Sequence, residues 1–121
     1  MPECYCDYDY DAPSVYAVTN PTARKSHECS ECRAEITPGT KYENVFGIWD
    51  GRPGTFKTCP KCLDLLEYVK AHVPCACFAH GNIHDDAIET AREWSHEVDG
   101  LLFGAYRRLI KARKQPKANH A

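Results

Sequence analysis

Eight of the 121 residues are Cys, and they fall into nested pairs: Cys4/Cys6, Cys29/Cys32, Cys59/Cys62 and Cys75/Cys77. So short a chain has little apolar core with which to offset the entropy of ordering itself, so cross-links of some kind are expected to contribute. Residues 1–7 carry neither a basic start nor an apolar run, and no stretch reaches the length needed to cross a bilayer. A cytoplasmic setting without membrane attachment is the expectation. Thiols there stay reduced, so the pairs read as metal ligands rather than as four disulfides.

The inner pairs have two residues between their cysteines, which lets one tight turn present both sulfurs to one ion. Two such turns complete a tetrahedral zinc site. Cys29, Cys32, Cys59 and Cys62 are therefore expected to form a structural Cys4 zinc centre. The 26 residues between Cys32 and Cys59 exceed the commoner spacing of about 15–20. Their content accounts for the excess: a Thr37-Pro38-Gly39 turn, a β-branched and aromatic run over 41–49, the loop residues 50–54 and a second run over 55–58, together a hairpin. After Cys59-Pro60-Lys61-Cys62 the spacing becomes helical, with Leu63, Leu66, Val69 and Val73 on one side. Pro60 suits the first turn of that helix and Pro74 ends it. The order turn, hairpin, second turn and helix predicts a small α+β fold of treble-clef type, with the last two ligands at a helix N-terminus that favours thiolates. A thioredoxin-like role for Cys59/Cys62 would need a βαβ setting that the pattern lacks.

The outer pairs are spaced i, i+2, which places both sulfurs on one face of an extended segment. Cys4, Cys6, Cys75 and Cys77 are expected to bind a second zinc ion, with His80 or His84 as a possible replacement for one Cys; the competing reading is four buried apolar thiols. His27 precedes a site already filled by four sulfurs and is read as a neighbour rather than a ligand. Trp49-Asp50-Gly51 is read as a hairpin turn with the indole packed on the sheet.

Beyond Pro74, Asp85 and Asp86 open an amphipathic helical pattern that continues through Ile88, Ala91, Val98, Leu102, Ala105 and Leu109. Gly100 and Gly104 each cost about 1 kcal/mol relative to Ala inside a helix, so 85–114 is expected to be either one helical arm or two helices. The predicted layout is a zinc-binding domain over 1–84 with an acidic N-terminal arm, the helical segment 85–114, and a frayed tail 115–121. The net charge of −2 divides into −8 over residues 1–100 and +6 over 101–121. Arg107, Arg108, Lys111, Arg113 and Lys114 are thus candidate phosphate contacts, with Tyr106 available to stack. The His80-Gly81-Asn82-Ile83-His84 run contains the letters of an HNH nuclease but compresses them into five residues. Two filled Cys4 sites would also leave no open coordination position, so no enzyme activity is expected.

The motifs Ala23-Arg24-Lys25, His27-x-Cys29-x2-Cys32, Ile36-x-Pro38-Gly39-x2-Tyr42-Glu43, Gly47-x-Trp49-Asp50-Gly51, Phe56-Lys57-Thr58-Cys59-x2-Cys62 and Val73-Pro74-Cys75-x-Cys77-x2-His80-Gly81 resemble those of a group of small zinc-binding proteins encoded by bacteriophages and prophages. The resemblance spans residues 4–104 and supplies no catalytic residues. It implies zinc binding, a bacterial host cell and a role during infection. The expected function is a non-enzymatic one: binding a host or phage protein, as an inhibitor of host machinery or defence. The alternative is a DNA- or RNA-binding module using the basic C-terminal helix, and that helix is also the expected route to any self-association.

Overall fold

The computed structural model describes residues 15–74, 76 and 78–118. Five strands precede three helices: β1 (Val15–Thr19), β2 (His27–Glu28), β3 (Glu35–Ile36), β4 (Glu43–Trp49), β5 (Arg52–Thr58), α1 (Pro60–His72), α2 (Ile83–Trp94) and α3 (Leu101–Arg113). The fold is α+β, with a three-stranded antiparallel sheet in the order β1-β4-β5 and a two-stranded ladder of β2 and β3.

The hairpin β4-β5 is tighter than its punctuation predicts. Trp49 pairs with Arg52, so the loop is only Asp50-Gly51, and both residues have positive φ (54° and 75°), the conformation of a type I′ turn. Pro53 then falls inside a strand, which an edge strand tolerates because no ladder N–H is needed on its outer side. The Trp49 indole lies across Gly47 and Gly54; a Cβ at Gly47 would collide with the ring, and one at Gly54 would sit 3.1 Å from it. The indole therefore packs on the sheet. The β-branched and aromatic run Val-Tyr-Ala-Val-Thr forms a further strand, β1, which pairs with β4 from Val15↔Ile48 to Thr19↔Asn44.

Helix α1 begins at Pro60 behind an extended Cys59 and stops before Val73, which the following Pro74 holds in the extended region. Leu65 and Val69 are fully buried, whereas Leu63, expected on the inner side, is only half-buried. The long C-terminal pattern resolves into two helices. Its break spans 95–100, where Gly100 takes φ +77°, a left-handed geometry that glycine adopts without strain. This break folds α3 back, so the segment is no projecting arm: Leu65, Val69 and Val73 of the α1 region, Ala87, Ile88 and Ala91 of α2, and Leu101, Ala105 and Leu109 of α3 form one buried cluster. The apolar positions of the amphipathic pattern, Ile88, Ala91, Ala105 and Leu109, are buried here, with Val98 and Leu102 packed against them.

Residues 115–118 also differ from the expected frayed tail. Lys117 bridges Ala34, Pro116 O accepts from Glu35 N–H at 3.1 Å, and Ala118 N–H donates to Arg33 O at 2.9 Å. Residues 116–118 are held because their backbone groups continue the small β2-β3 ladder, while 119–121 lie outside the described residues. No helix among the described residues is long and apolar enough to cross a membrane.

Candidate metal centre

A second buried cluster surrounds the four inner cysteines and includes Ala23, Ala34, Ile36, Tyr42 and Ala112. Cys29 and Cys32 stand on the turn between β2 and β3. That turn is closed by Cys29 N–H to Ala34 O at 2.9 Å and Arg33 N–H to Cys29 O at 3.0 Å. Arg33 takes φ 66° there, which costs a residue with a Cβ about 1–2 kcal/mol. Cys59 and Cys62 enter from the first turn of α1. Ser30 locks the two halves together: its N–H donates to Lys57 O at 2.7 Å and its Oγ accepts from Lys57 N–H at 2.9 Å.

All four sulfurs are buried and lie within 4.8 Å of one another. Cys29 Sγ is 3.8 Å from Cys62 Sγ, and Cys32 Sγ is 3.6 Å from Cys59 Sγ. A tetrahedron with Zn–S bonds of about 2.3 Å has edges of about 3.8 Å. Four thiols at this spacing are compatible with a zinc site. Without a cation they cannot all ionise: hydrogen bonding from Cys32 draws Cys29 down to about 7, and hydrogen bonding from Cys29 draws Cys59 down while pushing Cys32 and Cys62 up. A divalent ion at the centre removes this conflict by taking the place of the shared protons.

Around the sulfurs stands a set of donors that sequence spacing does not reveal. The backbone N–H groups of Glu31 and Cys59 each point to Cys29 Sγ at 3.4 Å. Gln115 Nε2 donates to Cys59 Sγ at 3.4 Å and to Cys32 Sγ at 3.6 Å. His84 Nε2 is 3.1 Å from Cys62 Sγ, while Arg113 Nε donates to His84 Nδ1 at 3.4 Å. Arginine can only donate, so Nδ1 is the acceptor and a neutral imidazole carries its proton on Nε2, facing Cys62 Sγ. Burial and then Arg113 lower the His84 pKa, in keeping with this neutral tautomer. His84 is thus a hydrogen-bond donor to the inner centre rather than a stand-in ligand elsewhere. Lys117 Nζ, 2.7 Å from Cys32 O, adds positive charge beside a centre that four thiolates and a divalent ion would leave at −2.

Glu31, between the first two ligands, ties the centre to α2. Its carboxylate accepts from Gly81 N–H at 2.7 Å and from Ile83 N–H at 3.0 Å, satisfying donors at a helix start whose own cap residue, Asn82, makes no side-chain cap bond. Glu31→Ala is expected to cost about 1–2 kcal/mol in chemical denaturation, as loss of a helix cap does. Gln115→Ala is expected to weaken metal binding by about 10–100-fold in chelator competition, the usual effect of removing an outer hydrogen bond to a ligand.

Compared with protein-family models, curated proteins and solved structures, the chain finds no match.

Of the other predicted residues, Cys4, Cys6, Cys75 and Cys77 lie outside the described residues. His80 stands apart from the Cys4 cluster. Its ring stacks on Phe56 at 5.2 Å between centroids, and its Nε2 is 2.9 Å from the Tyr16 hydroxyl. His27 is also no part of the cluster and packs against Tyr42. His80 and His84, the outer letters of the HNH-like run, have these separate environments and do not converge. The basic residues divide. Arg108 packs over the Tyr68 ring at 3.8 Å and pairs with Asp64 at 3.4 Å; Arg107, Lys111, Arg113 and Lys114 are exposed, and of these Arg113 donates to His84.

Proposed function

We propose that this chain is a non-enzymatic zinc protein of treble-clef-like build that acts by binding another protein, of a bacterial host or a phage. The observation that carries the reading is the closed character of the centre: four buried sulfurs lie within 4.8 Å of one another at spacings that suit a tetrahedron, Gln115 and His84 point to sulfurs, and Arg113 braces His84. A catalytic zinc keeps a position for water or substrate; this one has none to give and serves to hold the turn, the hairpin and α1 together. Tetrahedral sulfur also suits iron, so the metal's identity needs its own measurement. Purified protein is expected to be colourless, to contain zinc by elemental analysis, and to show tetrahedral thiolate absorption after cobalt exchange. Iron in place of zinc, or full metal retention after substitution of all four inner cysteines, would refute the metal reading. The phage setting comes from the motif resemblance alone, and affinity capture from host and infected lysates tests it.

Nucleic-acid binding is the second reading, and the exposed trio Arg107, Lys111 and Lys114 supports it. A gel shift at low salt that is abolished by reversing these three to Glu is the expected result under that reading.

A further inference from the structure

The outward face of α3 carries exposed apolar and basic side chains. Leu101, Gly104, Ala105, Leu109 and Ala112 point inward and Tyr106 accepts from Arg92 of α2, leaving Phe103, Arg107, Ile110 and Lys114 along the opposite side at helical spacings of three and four. Phe103 is 68% exposed and Ile110 is 49% exposed. Two turns, about 10.5 Å of rise, separate them on one stripe. Arg107 lies over the Phe103 ring at 5.8 Å, Lys114 continues the line, and Lys111 flanks it. From Leu101 onward the sequence has six basic residues and no acidic one.

We propose that this face docks an acidic amphipathic segment of a partner protein, its apolar side chains seated on Phe103 and Ile110 and its carboxylates paired with Arg107, Lys111 and Lys114. The inference rests on the protein-binding reading above and specifies its surface and partner chemistry. Charge complementarity selects an anionic partner. Two apolar anchors favour a peptide over a nucleic acid: Ile110 offers nothing for a base to stack on, and Arg108 and Arg113, which would have widened a phosphate track, are turned to Tyr68 and His84. A second copy of this chain would bring the same cationic stripe to the contact, and one short helix buries well under the roughly 1,000 Å² that a stable pair needs.

The test uses the full metal-loaded chain and fluorescence anisotropy. Its probes are a labelled amphipathic peptide of about five turns with Leu on one face and Glu on the other, the same peptide with Gln for every Glu, and single- and double-stranded DNA. The acidic peptide is expected to bind at least about tenfold more tightly than the Gln peptide. F103S/I110S and, separately, R107E/K111E/K114E are each expected to weaken it by about tenfold or more, with metal content and circular dichroism unchanged because all five positions are exposed. Equal binding of the two peptides, indifference to both variants, or tighter binding to DNA would overturn the proposal. So would a dimer in sedimentation that F103S/I110S dissociates, which would assign the face to a second copy. A lysate protein retained equally by parent and F103S/I110S would remove this face while leaving the binding reading intact. Absence of any retained protein would remove both.

Discussion

Cys62→Ser should lower bound metal by about one equivalent per chain and reduce stability by at least about 4 kcal/mol, a fall of roughly 15 °C in the thermal midpoint for a chain of this size. Cys62 is fully buried, stands 3.8 Å from Cys29 Sγ, and receives the His84 proton. Serine keeps the shape, and its hydroxyl can still accept from His84, but it lacks the soft thiolate, so only three sulfurs remain to hold the ion. The consequences extend beyond the turn. Gln115, Arg113 and Lys117 hold the end of α3 against this centre, so hydrogen exchange over 113–118 should accelerate along with that of the β2-β3 ladder. A chelator acting on the parent protein should reproduce the pattern. Acid should do so as well, with a definite sign: metal binding requires thiolates, so falling pH returns protons to the sulfurs and releases the ion. Retention of the full metal complement by Cys62→Ser, read by elemental analysis, would show that the four sulfurs do not share one ion.

What the sequence discloses about this centre, and what it hides, follows from the range of the interactions. The four ligands are readable because two cysteines with two residues between them encode their own turn, and Asp50-Gly51 marks the hairpin between the pairs because few residues accept two consecutive positive φ angles. Pro60 and Pro74 likewise announce α1 through purely local sterics. Gly100 signals the break in the C-terminal pattern, but whether a glycine interrupts a helix or packs inside it depends on the surface it meets. Gly104, four residues on, does the latter: its missing Cβ leaves room for the Tyr68 hydroxyl. The donors around the sulfurs have no local signature at all. His84 and Gln115 lie 22 and 56 positions from the cysteines they approach, and Glu31 reaches 50 and 52 positions to the start of α2. For the same reason the sequence predicts a frayed tail over 115–121, of which 116–118 are ordered against the ladder. A short polar run forms no structure alone, and its order comes from a ladder contributed by residues more than 80 positions earlier.

Leu65→Ala should cost about 3 kcal/mol and lower the thermal midpoint by roughly 10 °C, with metal content unchanged. Leu65 is fully buried among α1, α2 and α3, where a truncated side chain leaves a cavity that three packed helices cannot easily collapse. The informative feature is its address. It stands three residues after Cys62 on the same helix, yet Cys62 belongs to the sulfur cluster and Leu65 to the helical one. Helix α1 is therefore the shared wall of two small cores, neither of which is large for a chain of this length. Changes one turn apart on this shared helix should couple, so Cys62→Ser combined with Leu65→Ala is expected to depart from the sum of the single changes by about 1 kcal/mol or more in a double-mutant cycle. Metal removal should for the same reason lower the helical circular dichroism in a single transition. Additive costs together with two separate transitions would mean that the helical core stands without the metal, and that α1 merely passes from one folded unit to the next.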